Sequence, residues 1–430
     1  MRCSLFIVGW VWILASCSPN LQIKKTLALS EKKFKDHIGF MVYDPMAGKT
    51  LLEYNSDKYF TPASNTKIFT FYSSLQILGD SVPALRYITT HDSLIFWGTG
   101  DPSFLYHEVY QNNRVAAFLE NAQQKLYFSL SNFQTKHLGP GWAWDDYSYM
   151  YSVERSSFPL FGNALEVEKG LNGKLFTMPS LFANYLVSGD SVSDETKVIR
   201  DMDSNRITFY PGKKRSLKST WPLPFHSGVE VVVSLLSDTL KRKVEAVQYA
   251  LPKQNHTLKS VLTDSLYKKM MQDSDNFIAE QLLLMCADVV SDTLDSEIAI
   301  RYAKKNFLFD LPDEPIWVDG SGLSRYNLFT PRSIVRLWEK IYAKVPKERL
   351  FKLLAIGSQS GTLKSWYKAD KPYIFGKTGS LSNNHTLSGY LITKKDKVLI
   401  FSFMNTHFVA PSDDVRGMMQ EILMTVRNEY

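Results

Sequence analysis

A serine hydroxyl becomes a useful nucleophile only when a base stands beside it, and a lysine three positions along a helix shares its face. The 430-residue chain holds four Ser-x-x-Lys spacings: Ser30–Lys33, Ser64–Lys67, Ser265–Lys268 and Ser365–Lys368. Three Ser-x-Asn spacings (Ser18–Asn20, Ser274–Asn276, Ser382–Asn384) could add a hydroxyl and an amide, and one Lys-Thr-Gly, Lys377–Gly379, a second cation. Order and context separate them. Pro62-Ala63-Ser64 opens an amphipathic segment from Asn65 to Leu78. Ser64 is therefore expected at a helix N-terminus, whose partial positive charge favours a developing oxyanion. Ser30–Lys33 lies in a charged run, Ser265–Lys268 falls mid-helix, and no Ser-x-Asn separates Ser365–Lys368 from Lys377. Ser18–Asn20 abuts the N-terminal leader, and Ser382–Asn384 follows the Lys-Thr-Gly too closely to form another wall. Ser64/Lys67, Ser274/Asn276 and Lys377/Thr378/Gly379 remain, in that order.

Elements far apart in the chain must bring these groups together. Ile38–Tyr43 and Thr50–Tyr54 read as strands joined by a turn over Asp44–Gly48. Between about 85 and 255 short β-like runs alternate with loop residues, at Leu94–Trp97, Leu126–Ser129, Arg206–Tyr210 and Val229–Leu235. A long helical pattern covers about 258–290. Tyr373–Phe375, Leu387–Thr393 and Val398–Met404 read as strands, the last two a hairpin across Lys394–Lys397. Pro411–Tyr430 reads as a closing helix with Ser412 as its N-cap. The first and last strand groups are expected to share one sheet with helices packed on it. The expected fold is α/β (α+β): a domain in two parts, 17–84 and 256–430, split by a β-rich inserted domain, 85–255.

Composition excludes other classes. Hydrophobic residues at 44% and charged residues at 22% are those of a globular chain. The net charge of +7 is spread thinly over Lys213–Arg215, Lys241–Lys243 and Lys394–Lys397, whereas a nucleic-acid binder concentrates such residues on one face. No nucleic-acid partner is expected. The eight histidines form no H-E-x-x-H and no paired metal spacing, so neither a zinc site nor another metal or cofactor is expected. G-x-S-x-G is absent, which counts against an α/β-hydrolase.

The N-terminus reads as an export signal. Leu5–Leu14 is apolar apart from Gly9 and too short to span a bilayer. Leu14-Ala15-Ser16-Cys17 resembles a bacterial lipobox, which implies a leader of residues 1–16 and a lipid on the Cys17 thiol. Of the three cysteines only Cys286 then remains, so an internal disulfide is not expected.

The three motifs are the signature of serine β-lactamases and penicillin-binding proteins. Pro62–Lys67, Ser274–Glu280, Asp319–Arg325 and Gly376–Leu381 resemble one group within them, as do Gly98–Pro102 and the Trp-rich tract Pro140–Asp146. That group is the penicillin-binding protein 4 type of D-alanyl-D-alanine carboxypeptidase/endopeptidase, the low-molecular-mass class C proteins. The resemblance implies a transpeptidase-like domain whose antiparallel sheet has helices on both sides. It also implies one or two extra domains inserted between the first two motifs; that gap is short for the larger members, so the smaller nested domain is expected to be reduced or missing. Ser64 would be the nucleophile and Lys67 its base, its pKa lowered by Lys377. Ser274 would relay a proton between Lys67 and the leaving nitrogen. Asn276 would hold the substrate backbone, Lys377 and Thr378 its terminal carboxylate, and Gly379 would let the strand come close. The amides of Ser64 and Ser380 are the implied oxyanion donors, and Asp146 would meet a cation on the peptide stem. The implied partners are peptidoglycan stem peptides ending in D-Ala-D-Ala, β-lactams as covalent inhibitors, and a membrane held through the lipid. The implied location is the periplasmic face of a bacterial envelope. A β-lactamase or esterase on the same scaffold, and a non-catalytic peptidoglycan-binding or penicillin-sensing protein, stand as alternatives.

Overall fold

A computed structural model describes residues 19–109, 112–190, 192, 194–213 and 219–430. The leader and Cys17 lie outside the described residues. A six-stranded antiparallel sheet joins the two ends of the chain in the order Ala355–Ile356, Ile374–Leu381, Asn384–Ile392, Val398–Thr406, His37–Asp44, Lys49–Tyr54. Successive side chains on a strand point to opposite faces. Along Val398–Thr406, Leu399, Phe401 and Phe403 enter one core, and Val398, Ile400 and Met404 enter the other. Each large apolar side chain so buried stabilises the fold by about 1.5–3 kcal/mol. Both faces are covered. Pro19–Phe34 and Ser412–Glu429 pack on one, Lys67–Ile77, Asn276–Ser291 and Pro331–Lys344 on the other. Register is pinned at Gly39, where a Cβ would meet the Phe60 ring at 2.4 Å.

A five-stranded sheet is built from residues 81–262, in the order Val244–Ala246, Lys125–Ser129, Ser93–Gly98, Ser81–Thr89, His256–Leu262. Its two pairings to Lys125–Ser129 are parallel and the others antiparallel. Two three-stranded sheets come from residues 164–224. The helix Asn276–Ser291 fastens this region to the six-stranded sheet's helical layer. Its Gln281 donates to the carbonyls of Gly100 and Ser156, both at 2.8 Å. Its Glu280 pairs with Arg155 at 3.5 Å, both fully buried. Breaking one side of such a pair strands a buried charge, at a cost of about 3–5 kcal/mol.

Three local expectations are corrected. Val229–Leu235 is not a strand but the start of a helix, Val229–Leu240. Its valines favour β structure, yet the buried residues Val232, Leu235, Leu236 and Leu240 recur at helical spacing. The long helical pattern opens instead with a strand, His256–Leu262, paired to Ser81–Thr89, and only then do Thr263–Gln272 and Asn276–Ser291 follow. At the last helix Pro411 takes the N-cap position, and Ser412 is the first helical residue.

Candidate active site

Ser64 lies in a tight turn, Ala63–Thr66, and the α-helix proper begins at Lys67. Ala63 has φ +48°, outside the usual range for a residue with a Cβ. The turn is held from two sides. On one, Asn65 is fully buried and donates to Lys377 O (3.0 Å) and Thr386 Oγ1 (2.8 Å), while Ser388 Oγ donates to its Oδ1 (2.5 Å). On the other, Gly322 (φ +81°) passes so close that a Cβ would sit 1.9 Å from Ala63 O. Gly379 clears the same turn. A Cβ there would meet Pro62 O at 2.6 Å and Ser64 N at 2.9 Å, so the glycine brings the Lys-Thr-Gly strand against the nucleophile's own backbone.

Lys67 is fully buried, and its Nζ donates to Ser64 Oγ (2.8 Å), Asn276 Oδ1 (2.6 Å) and Ser321 O (2.7 Å). Burial pushes this lysine down to about 8, against the opposing pull of Asp319, Asp275 and Glu280. Lys377, also fully buried, donates to Ser274 Oγ (2.8 Å) and Thr378 O (2.7 Å). Burial first, and Lys67 second, hold it well below the ordinary lysine range. Burial, and not a second cation, is the first cause at both lysines, where the sequence reading named Lys377 as the cause for Lys67.

The expected link between Ser274 and Lys67 is likewise absent from this arrangement. An ammonium has three donors, and Lys67 spends all three elsewhere. Ser274 (φ +66°) bonds Lys377 instead. Asn276 is the first residue of its helix. Its Oδ1 faces Lys67 and its Nδ2 donates to Tyr151 O at 2.8 Å, leaving a second N–H. Asp275 caps this helix by accepting from Ile278 N at 2.8 Å.

Ser64, Ser274, Asn276 and Ser380 border one cleft of about 670 Å³, with Asp145, Asp146, Tyr151 and Arg325 on its walls. Lys67 and Lys377 join it through their bonds to Ser64 and Ser274. Asp146 accepts from the Tyr151 hydroxyl at 2.8 Å. Thr378 Oγ1 donates to Thr362 Oγ1 at 2.6 Å, and Ser380 Oγ lies 2.8 Å from His385 Nδ1.

Asp319–Gly322 is a scaffold. Asp319 is fully buried, and its carboxylate accepts from Gly322 N, Ser324 N, Asn327 Nδ2 and Trp142 Nε1, all within 2.9 Å. This fixes the turn that presents Ser321 O to Lys67. Sequence reasoning missed Asn65 and the Ser321 carbonyl. Both lie inside quoted motifs, but only contacts across the fold reveal what they do. Cys286 is buried beside Ser74, and burial pushes its thiol up to about 12, so it is no nucleophile.

A buried lysine held against a serine at the edge of a cleft, faced by a second lysine on a strand, is equipped for acyl transfer by serine. The sheet with helices on both faces belongs to the penicillin-recognising class of such enzymes. More narrowly, residues 21–426 match the D-Ala-D-Ala carboxypeptidase 3 (S13) family, and the chain belongs to it. It is 22% identical to the D-alanyl-D-alanine carboxypeptidase DacB of Haemophilus influenzae over 86% of this chain and 85% of that one. The crystal structure of penicillin binding protein 4 (dacB) from the same organism superposes with a TM-score of 0.75 at 20% identity, covering 93% of this chain and 98% of that one. Its complex with a novel β-lactam gives 0.71 at 18% identity, covering 94% and 99%.

Proposed function

We propose that this protein is a serine-type D-alanyl-D-alanine carboxypeptidase that acts on peptidoglycan stem peptides through an acyl-enzyme on Ser64. The observation that carries the reading is the 2.8 Å bond between the buried Lys67 amine and Ser64 Oγ at the cleft. Neutral Lys67 takes the Ser64 proton as Oγ attacks the carbonyl of the penultimate D-alanine. The amides of Ser64 and Ser380 receive the oxyanion. The intermediate collapses, the C–N bond breaks, and Lys67 passes the Ser64 proton to the leaving amine through Ser274, whose hydroxyl turns from Lys377 to bridge them. Water then hydrolyses the ester and regenerates Ser64. Lys377 and Thr378 meet the terminal carboxylate, and an anion placed there restores the Lys377 charge that burial disfavours. Asn276 holds the substrate backbone with its remaining N–H, and Asp146 faces a cation on the stem. Cleavage of cross-links, an endopeptidase activity, uses the same steps with a larger leaving group.

A β-lactam acylates the same serine because its strained amide and carboxylate imitate the D-Ala-D-Ala end. Incubation of the chain lacking its leader with a fluorescent penicillin and, separately, with diacetyl-Lys-D-Ala-D-Ala tests the reading. Stable labelling together with D-alanine release is expected. Rapid turnover of the label without D-alanine release would make the protein a β-lactamase. Labelling without any turnover would make it a sensor, and neither label nor release from folded protein would end the catalytic reading.

The anchor belongs to the same proposal: cleavage before Cys17, lipid on its thiol, and residence at the periplasmic face of the envelope. Among the described residues no helix is long and apolar enough to cross a membrane. The helix Pro19–Phe34 follows Cys17 almost at once and packs with Ser412–Glu429 on the sheet's outer face, so the lipid would hold that face to the bilayer. Palmitate fed to expressing bacteria should label the wild type. Cys17→Ala should lose the label and enter the soluble fraction, with penicillin labelling intact. A labelled Cys17→Ala protein would refute the anchor.

A further inference from the structure

A second, smaller cavity of about 90 Å³ opens between the Lys-Thr-Gly strand and the last helix. Ser380 borders both it and the catalytic cleft, so the two spaces share a wall. Thr362, Thr378, His385 and Arg416 also line it. Leu363, Trp366 and Tyr367 complete the lining, and the hydroxyls of Thr362, Thr378 and Ser380 with the Arg416 guanidinium give this small space the chemistry of an anion pocket. Arg416 comes from the helix Ser412–Glu429, outside all three motifs. Its Nη1 reaches Asp413 Oδ1 at a long 3.4 Å, and its guanidinium lies 5.9 Å over the Trp366 ring. Its Nε is buried and has no hydrogen-bond partner among the described residues. Of its two Nη atoms only Nη1 has a hydrogen-bond partner among the described residues, which leaves the outer end of the guanidinium for a ligand oxygen.

We propose that Arg416 is a substrate-binding residue: with Thr378 and Ser380 it takes the terminal carboxylate of the peptide, on the leaving-group side of Ser64. This rests on the DD-peptidase reading above and adds to it the residue that supplies fixed charge. Thr378 hydroxyl now donates to Thr362 and can turn to the anion. Ser380 can do the same if His385 donates to its oxygen, and the buried imidazole, pushed down to about 3, is neutral and free to adopt that tautomer. Lys377 alone is a poor anchor for an arriving anion, because burial and Lys67 disfavour its charged form. An arginine keeps its charge at any working pH.

The test compares substrates that differ only in the carboxylate. Wild type, Arg416→Gln and Arg416→Lys, each as the mature chain, are given diacetyl-Lys-D-Ala-D-Ala and the same peptide ending in D-alaninamide. Their acylation by benzylpenicillin and by its methyl ester is measured alongside. Arg416→Gln should lower kcat/KM for the acid roughly 10- to 100-fold, mostly through KM, and leave the amide unchanged, so that the preference for the acid collapses. Arg416→Lys should restore part of it. Equal losses on acid and amide would mean a structural role, and an unchanged preference would mean no role; either overturns the proposal. If wild type cleaves neither peptide, the DD-peptidase reading fails by itself. The penicillin pair then still reads Arg416: a ratio of acid to ester unaffected by Arg416→Gln overturns the proposal there too.

Discussion

Ser64→Ala is expected to abolish penicillin labelling and to cut D-alanine release by at least about 10⁴-fold, the scale seen when a serine enzyme loses its nucleophile. The fold should not notice. The Ser64 hydroxyl's bond is to Lys67, and Ala63, Asn65 and Gly322 hold the turn without it. The melting temperature should therefore match wild type, within the ±0.5 kcal/mol usual for a change that empties no core. Intact-mass measurement after penicillin treatment reads the result directly, as one adduct on wild type and none on the variant. An adduct that survives would point to another serine. The structure makes the rival spacings poor candidates. Ser30 Oγ is buried and donates to Thr26 O within its own helix, and Ser265 lies inside the helix Thr263–Gln272.

Much of this arrangement was legible in the chain because its motifs sit where backbone geometry is demanding. Gly379 and Gly322 are needed by close approaches to the Ser64 turn, and each stands in a motif that the sequence singles out. The split sheet was legible because its strands carry long apolar runs that must be buried on both faces, as Val398–Thr406 is. What stayed hidden depends on contacts between distant residues. Nothing near Asn65 says that its amide will bond Lys377 O and Thr386 across more than 300 positions. Nothing near Lys67 says that its third acceptor will be Ser321 O. The helix Val229–Leu240 was misread because a run of valines carries β propensity, and packing in the core formed by residues 84–244 overrides it. The source of the Lys67 shift was misread for a related reason. Spacing reveals a second lysine nearby, but the completeness of burial, which dominates both lysines, is a property of the folded whole.

That distinction gives the second large effect. With Lys67 near 8, the neutral amine needed to deprotonate Ser64 grows tenfold per pH unit below that value and saturates above it. The second-order rate of penicillin acylation should thus climb from pH 6, bend near 8 and level off. Lys67→Met removes the base, and the rate should fall roughly 10²- to 10⁴-fold and lose this rise. The cause of the shift is separable by a second variant. If the charge of Lys377 set Lys67, Lys377→Met would move the bend upward, towards an ordinary lysine. Burial as the cause leaves the bend near 8, because the enclosure of Lys67, and not the Lys377 charge, then sets its position. Lys377→Met should slow acylation at every pH through the lost grip on the carboxylate, so the position of the bend, not the height of the plateau, decides. A flat profile between pH 6 and 9 in wild type, or an unchanged rate in Lys67→Met, would remove Lys67 from the role of base and pass it to a group reached through water or through Ser274.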